Sequence, residues 1–170
     1  PDNTKLYVAI GSASNIGEYG LEHEVGRAAI REIDLRSGAE RLFASGLRNP
    51  VGMAFEPESD RLWTAVNERD ELGPDVPPDY MTAVEEDGFY GWPYSYWGDH
   101  VDERVEPQRP DLVARALIPG YALGPHTASL GLAFTDPSNP APLDLQGAFV
   151  GQHGSWNRKP PSGYKVVFVP

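Results

Sequence analysis

Apolar residues in this chain fall in short runs. Most alternate with polar residues or are rich in β-branched and aromatic side chains, the pattern of strands rather than helices. KLYVAIGS (5–12), AAIREIDL (28–35) and RLFASGL (41–47) read as three strands, with SNIGEYGLEHEVGRA as a glycine-bearing loop after the first and RSGAE as a turn after the second. PVGMAF (50–55) and RLWTAV (61–66) follow, joined by EPESD, a Pro/Ser/Asp cluster that makes a turn. Beyond them GPDVPPDYM is too rich in proline for regular structure, and YMTAVEED (80–87) is the one helix candidate. The Gly/aromatic segment FYGWPYSYWG (89–98) suits packing between sheets, because Trp and Tyr bury large areas and Gly permits tight turns. After a charged loop through Arg109, ALIPGYAL (116–123), LGLAFTD (130–136), GAFVGQHG (147–154) and YKVVFVP (164–170) read as four more strands. The predicted class is all-β.

The strands repeat. VGMAFEPESDRLWTAV overlays LGLAFTDPSNPAPLDLQGAFVGQ: a Gly-apolar-Ala-Phe strand, a Pro-containing turn, then a strand with an aromatic beside β-formers. PDNTKLYVAIG matches the second half of that unit without its first strand. Repeated four-stranded antiparallel units joined by long loops are the signature of a β-propeller. The repeats divide the chain into an incomplete blade with outer strands (1–47), a blade with a long loop (48–115) and a further blade (116–170). Propellers close with roughly four to eight blades, since each sheet buries its faces against neighbours. About three blades therefore predict part of a ring, or a half that pairs with a second copy into a homodimer.

Composition narrows the function classes. With 170 residues, 40% of them hydrophobic and 11% aromatic, the chain can build the core of one domain. A formal net charge of −11 argues against a nucleic-acid or anionic-membrane partner, which would need clustered Lys and Arg. There is no Cys, hence no disulfide framework and no thiolate nucleophile. No run approaches the roughly 18 apolar residues of a membrane span. PDNTKLYVAI has no basic head or small-residue cleavage site, so the expectation is a cytosolic protein or one whose targeting segment lies outside this sequence. Ser129 and Ser155 lack a G-x-S-x-G context and do not suggest a hydrolase.

The candidate chemistry gathers around 47–73. Arg48 and Asn49 lead into one strand, and Asn67, Glu68, Arg69, Asp70 and Glu71 leave the next. Guanidinium, amides and carboxylates then collect at one rim of a small sheet, a combination suited to an anionic ligand and a hard cation. The plainer readings are that Arg48 braces a turn, that the carboxylates form a solvated loop, and that His153 sits in a hydrogen-bonded turn.

The strings LRNPVGMAF, LWTAVNERDELG, FYGWPYSYWG, HTASLGLAF and FVGQHGSWNR with GYKVVFVP together resemble the quinoprotein sugar dehydrogenases, and most closely their L-sorbosone dehydrogenase-like branch. That resemblance implies about half of a six-bladed propeller that binds pyrroloquinoline quinone and Ca²⁺. It also implies a sugar substrate, an electron acceptor and a periplasmic or secreted setting. Arg48 and Asn49 then stand where the family contacts the cofactor. Thr127 falls at a pocket position with His126 close by, and Gln152, His153 and Arg158 fall at a strand end where relatives present basic cofactor contacts. NERDELG stands in the place of a calcium loop that in more distant relatives contains Gly-Pro, so Asn67, Glu68 and Asp70 are assigned to calcium by position and chemistry. The family's general-base His would fall before Pro1, and His23, His100, His126 and His153 are not at its position. The chain alone is therefore expected to lack a catalytic residue and not to be a competent dehydrogenase. The rival expectation is a non-catalytic propeller module that binds carbohydrate or protein through the same rim.

Overall fold

The computed structural model describes residues 3–136, 138 and 145–170, so most of the Pro-containing turn read between LGLAF and GAFVG lies outside the described residues. In chain order the strands are β1 (Lys5–Ile10), β2 (Ala29–Asp34), β3 (Glu40–Ser45), β4 (Pro50–Phe55), β5 (Leu62–Val66) and β6 (Pro78–Ala83). The short strands β7 (Gly88–Phe89), β8 (Ser95–Tyr96) and β9 (His100–Val101) precede β10 (Tyr121–Pro125), β11 (Ser129–Phe134), β12 (Ala148–Gln152) and β13 (Lys165–Val169). The first sheet has the order β1-β2-β3-β7, the second β10-β6-β5-β4, the third β11-β12-β13, and β8 and β9 pair by themselves. Long-strand pairings are antiparallel, whereas β7 joins β3 in parallel.

These sheets stand side by side as neighbouring blades of a β-propeller, the predicted architecture. The ends of β1, β5, β10 and β12 and the starts of β4, β6 and β11 lie at one rim. Ser12 N–H donates to Arg48 O (2.9 Å), Asn67 N–H to Asn49 O (3.0 Å) and His153 N–H to Ala128 O (2.8 Å). β1 thus runs toward the rim as β5 and β12 do, in agreement with its place in the repeat.

The second sheet is buried on both faces, and alternation along β5 sorts its side chains between two cores. Leu62 and Val66 join Ile30, Phe43, Leu47, Tyr80 and Tyr90 toward the first sheet. Ala65 joins Met81, Ala148, Val150 and Val169 toward the third, with Trp63 packed alongside. The aromatic segment packs between these elements: Trp97 lies edge-on to Tyr80 (centroids 6.4 Å apart), and Tyr90 is almost wholly buried.

Three sequence expectations change. The proline-rich stretch ending in DYM, and the helix candidate that overlaps it, become β6: Pro78 takes the first strand position, where its missing N–H costs no ladder bond, and Asp79 to Thr82 are all buried. The strand read at 116–123 starts later, at Tyr121, and pairs with β6 in the second sheet. Among the described residues two single-turn helices also occur, a 3₁₀ turn at Leu21–Glu24 and an α-turn at Pro110–Val113.

The inner strands β4 and β11 meet at Gly52. A Cβ there would lie 2.6 Å from Leu132 N, 2.8 Å from Leu130 O and 2.9 Å from the carbonyl carbon of Gly131. All three are backbone atoms, which cannot rotate away. Gly52→Ala should therefore destabilise the protein by about 1–3 kcal/mol through forced separation of the blades. Chemical denaturation checks this, and Gly38→Ala, in a turn with open space around it, serves to measure the cost of adding a methyl at a positive φ without any neighbour.

Candidate functional site

The rim collects the polar ends of all three sheets. Arg48 is half-buried there and only loosely held: Nη1 donates to Glu68 O and Nη2 to Asn15 Oδ1, each at 3.4 Å, while the buried Nε has no partner among the described residues. Beside it a cavity of about 280 Å³ is lined by Ser12, Asn15, Glu18, Tyr19, Arg48 and Asn49. Asn49 packs its amide oxygen close over Gly11, where a Cβ would lie 2.3 Å from Oδ1. An under-satisfied guanidinium at a cavity can still make charge-assisted bonds to a carboxylate.

The acidic segment that leaves β5 separates into unlike parts. Glu68 is buried, and its Oε2 accepts the N–H of Arg69 (3.1 Å). Burial pushes its carboxyl up from 4.5 to about 8, against the pull of Arg48 and with the help of nearby Asp79. Arg69 forms a buried ion pair with Asp102, which ties the charged loop after β9 to the end of β5. Asn67 remains at the rim, half-buried, with its N–H on Asn49 O.

Asp70 is the point where the rim loops converge. Its Oδ1 accepts His126 Nδ1 (2.9 Å) and Asn157 Nδ2 (3.1 Å), its N–H donates to Asn15 Oδ1 (2.8 Å), and its carbonyl accepts Asn15 Nδ2 (3.2 Å). Oδ2 is left free among the described residues. His126 Nε2 lies 2.8 Å from Gly73 O, and Arg158 holds the next two residues, with Nε on Pro74 O (2.9 Å) and Nη2 on Asp75 Oδ1 (3.0 Å). A Gly-Pro pair, Gly73-Pro74, therefore does follow the acidic residues, a feature that NERDELG taken alone does not contain. Among the described residues no group of three or more His, Asp or Glu side chains is gathered as a metal site.

The remaining predicted residues divide between interior and surface. Thr127 Oγ1 donates to Asp79 Oδ2 (2.9 Å) and lies 2.8 Å from Ser129 Oγ; Gln152 Nε2 donates to Leu123 O (3.1 Å) and Ser129 Oγ (3.2 Å). Gln152 Oε1 is buried with no partner among the described residues. His153 is exposed at the end of β12. Three residues at the rim escaped the sequence reading: Asn15, Asp79 and Asn157. Asp79 alone gives a usable sequence signal, a carboxylate set between two prolines and an apolar run.

Comparison with known proteins agrees with the fold. The sequence profile described as Glucose / Sorbosone dehydrogenase matches residues 31–140, and one described as TrAA12-like matches 112–170. The chain is 34% identical over 167 residues to an uncharacterised protein of Borreliella burgdorferi, covering 97% of this chain and 42% of that protein. It is 31% identical over 202 residues to a pyrroloquinoline quinone-dependent pyranose dehydrogenase of Coprinopsis cinerea, covering 95% and 27% respectively. The solved holo form of the pyranose dehydrogenase PQQ domain from that fungus has a TM-score of 0.77 at 27% identity, over 98% of this chain and 49% of that one. The chain thus spans less than half the length of these curated relatives.

The raised Glu68 carboxyl makes a signed prediction. Its folded value lies above its ordinary one, so its contribution to stability is fully present below pH 4.5 and is lost as pH rises toward about 8. Glu68→Gln keeps the neutral form and removes that slope. The difference in unfolding free energy between wild type and E68Q should therefore be constant below pH 4.5 and then shift steadily against wild type up to about pH 8. A pH-independent difference would mean that the carboxyl titrates normally.

Proposed function

From the premise that this chain belongs to the Glucose / Sorbosone dehydrogenase family, we propose that it forms the cofactor-binding part of a quinoprotein dehydrogenase that oxidises a sugar or a related alcohol or aldehyde. The observation that carries the reading is Arg48, a half-buried guanidinium whose Nε has no partner among the described residues, beside a cavity at the propeller rim. Pyrroloquinoline quinone is a tricarboxylate and, when bound, supplies the hydride acceptor. Arg48 fits one of its carboxylates, and Asn49 adds an amide beside it. His153 and Arg158 remain as further contacts from the third sheet. His126, Thr127 and Gln152 act from behind, through Asp70, Asp79 and Ser129, and hold the rim in shape.

Calcium is proposed at the same rim. Of Asn67, Glu68 and Asp70, Asp70 suits a hard cation because its Oδ2 has no protein donor among the described residues, and Asn67 is a half-buried amide three residues earlier at the same strand end. Glu68 suits it poorly: its carboxyl is buried and largely neutral at pH 7. His126 is bonded to Asp70 and Gly73 and is not assigned the base that takes the substrate hydroxyl proton. The setting proposed is periplasmic or secreted, with a separate electron acceptor.

Titration of the intact protein with pyrroloquinoline quinone, followed by absorbance, tests the reading. Arg48→Ala removes a charge-assisted contact worth about 1.5–3 kcal/mol, so the Kd should rise roughly 10- to 100-fold while the melting temperature changes little. Equal affinity in wild type and R48A would sink the assignment.

A further inference from the structure

Asn15 lies in the loop after β1, and all of its polar groups are engaged. Its N–H donates to Glu18 Oε1 (3.1 Å), and its carbonyl accepts the indole N–H of Trp92 (3.1 Å). Its side-chain amide makes the two bonds to the Asp70 backbone described above, at 2.8 and 3.2 Å, the pattern of one rung of a β-ladder. A side chain pinned by two backbone bonds cannot change rotamer without breaking both. Its Oδ1 is thus a fixed acceptor, and it is this oxygen that Arg48 Nη2 faces at 3.4 Å.

The chemistry of the acceptor matters as much as its place. Arg48 has two contacts, both long, and both of its acceptors are neutral: the amide of Asn15 and the carbonyl of Glu68. A neutral acceptor orients a guanidinium and leaves its charge uncompensated, whereas a carboxylate at the same point would hold it bidentately. Asn15 also borders the cavity that Arg48 borders.

We propose that Asn15 is a positioning residue for the anion site: it aims Arg48 at a carboxylate of the quinone while leaving the positive charge for that ligand. The inference rests on the reading of Arg48 as the cofactor anchor. It goes further by assigning the orientation of that anchor to a residue of another blade.

A double-mutant cycle on the intact protein tests it, with the Kd for pyrroloquinoline quinone and the melting temperature measured for wild type, Asn15→Ala, Arg48→Gln and the double variant. N15A should raise the Kd about tenfold in the wild-type background and less than about twofold when Arg48 is already Gln, the non-additivity of two groups that act together. A purely structural Asn15 would weaken binding by the same factor in both backgrounds, and that result overturns the proposal. If R48Q binds as tightly as wild type, the anchor reading falls and the inference with it. If R48Q is weakened but N15A is not, the inference alone falls. Should N15A fail to fold, Asn15→Asp, which keeps an oxygen against Asp70 N–H, decides the matter. It loses the bond to Asp70 O, at some cost in stability that the melting temperature reads, and should weaken binding at least tenfold, because its carboxylate pairs with Arg48 in place of the ligand's; wild-type affinity in N15D overturns the proposal.

Discussion

The carboxylate of Asp79 is the interaction on which the rim depends. It is 1% exposed, yet it accepts Glu68 N–H, Ser129 N–H and the Thr127 hydroxyl, each at 2.9 Å. Burial pushes its carboxyl up, and these three bonds oppose that shift. The two N–H groups belong to strand ends of different blades, where ladder pairing stops and an unpaired donor in the interior would cost about 1–3 kcal/mol. One carboxylate satisfies both and in doing so fixes the end of β5 against the start of β11. Every residue of the acidic loop inherits its position from that junction.

The fold was legible in the sequence where a strand has one wet face or carries the repeat. β4 and β11 announce themselves by Gly-apolar-Ala-Phe, and β2 by alternation in AIREID. β6 was not legible, because it is buried on both faces and follows a run of prolines, so it shows neither alternation nor a β-rich composition. The same double burial explains the unbroken apolar LWTAV of β5, whose side chains serve two cores in turn. β10 began later than expected because Pro119 and Gly120 in ALIPGYAL form the approach to the strand rather than its middle.

The site was legible as a location and less so as a set of roles. Arg48, Asn67 and Asp70 could be gathered from sequence because a hairpin must bring its two ends together. Asn15, His126 and Asn157 come from three other connections, and no spacing along the chain shows that they meet on one residue, Asn15 at the Asp70 backbone and the other two at its carboxylate. Burial was the other hidden variable. Glu68 and Asp70 are two residues apart in an acidic loop, yet one is enclosed and the other keeps a free oxygen at the rim.

That difference bears on how a chain of net charge −11 can hold an anion at all. Long-range attraction is absent, so affinity has to come from local groups whose charge is not already cancelled. Were Glu68 ionised, its carboxylate would stand next to the Arg48 guanidinium, in an environment too poorly solvated to screen it. Burial raises the carboxyl to about 8, and near neutral pH it is a largely uncharged neighbour. Arg48 is thereby left without an ion-pair partner among the described residues, and the one carboxylate that lines its cavity, Glu18, is turned to the N–H groups of Asn15 and Ile16. The same packing that hides one acid from water leaves the guanidinium open to a ligand's carboxylate.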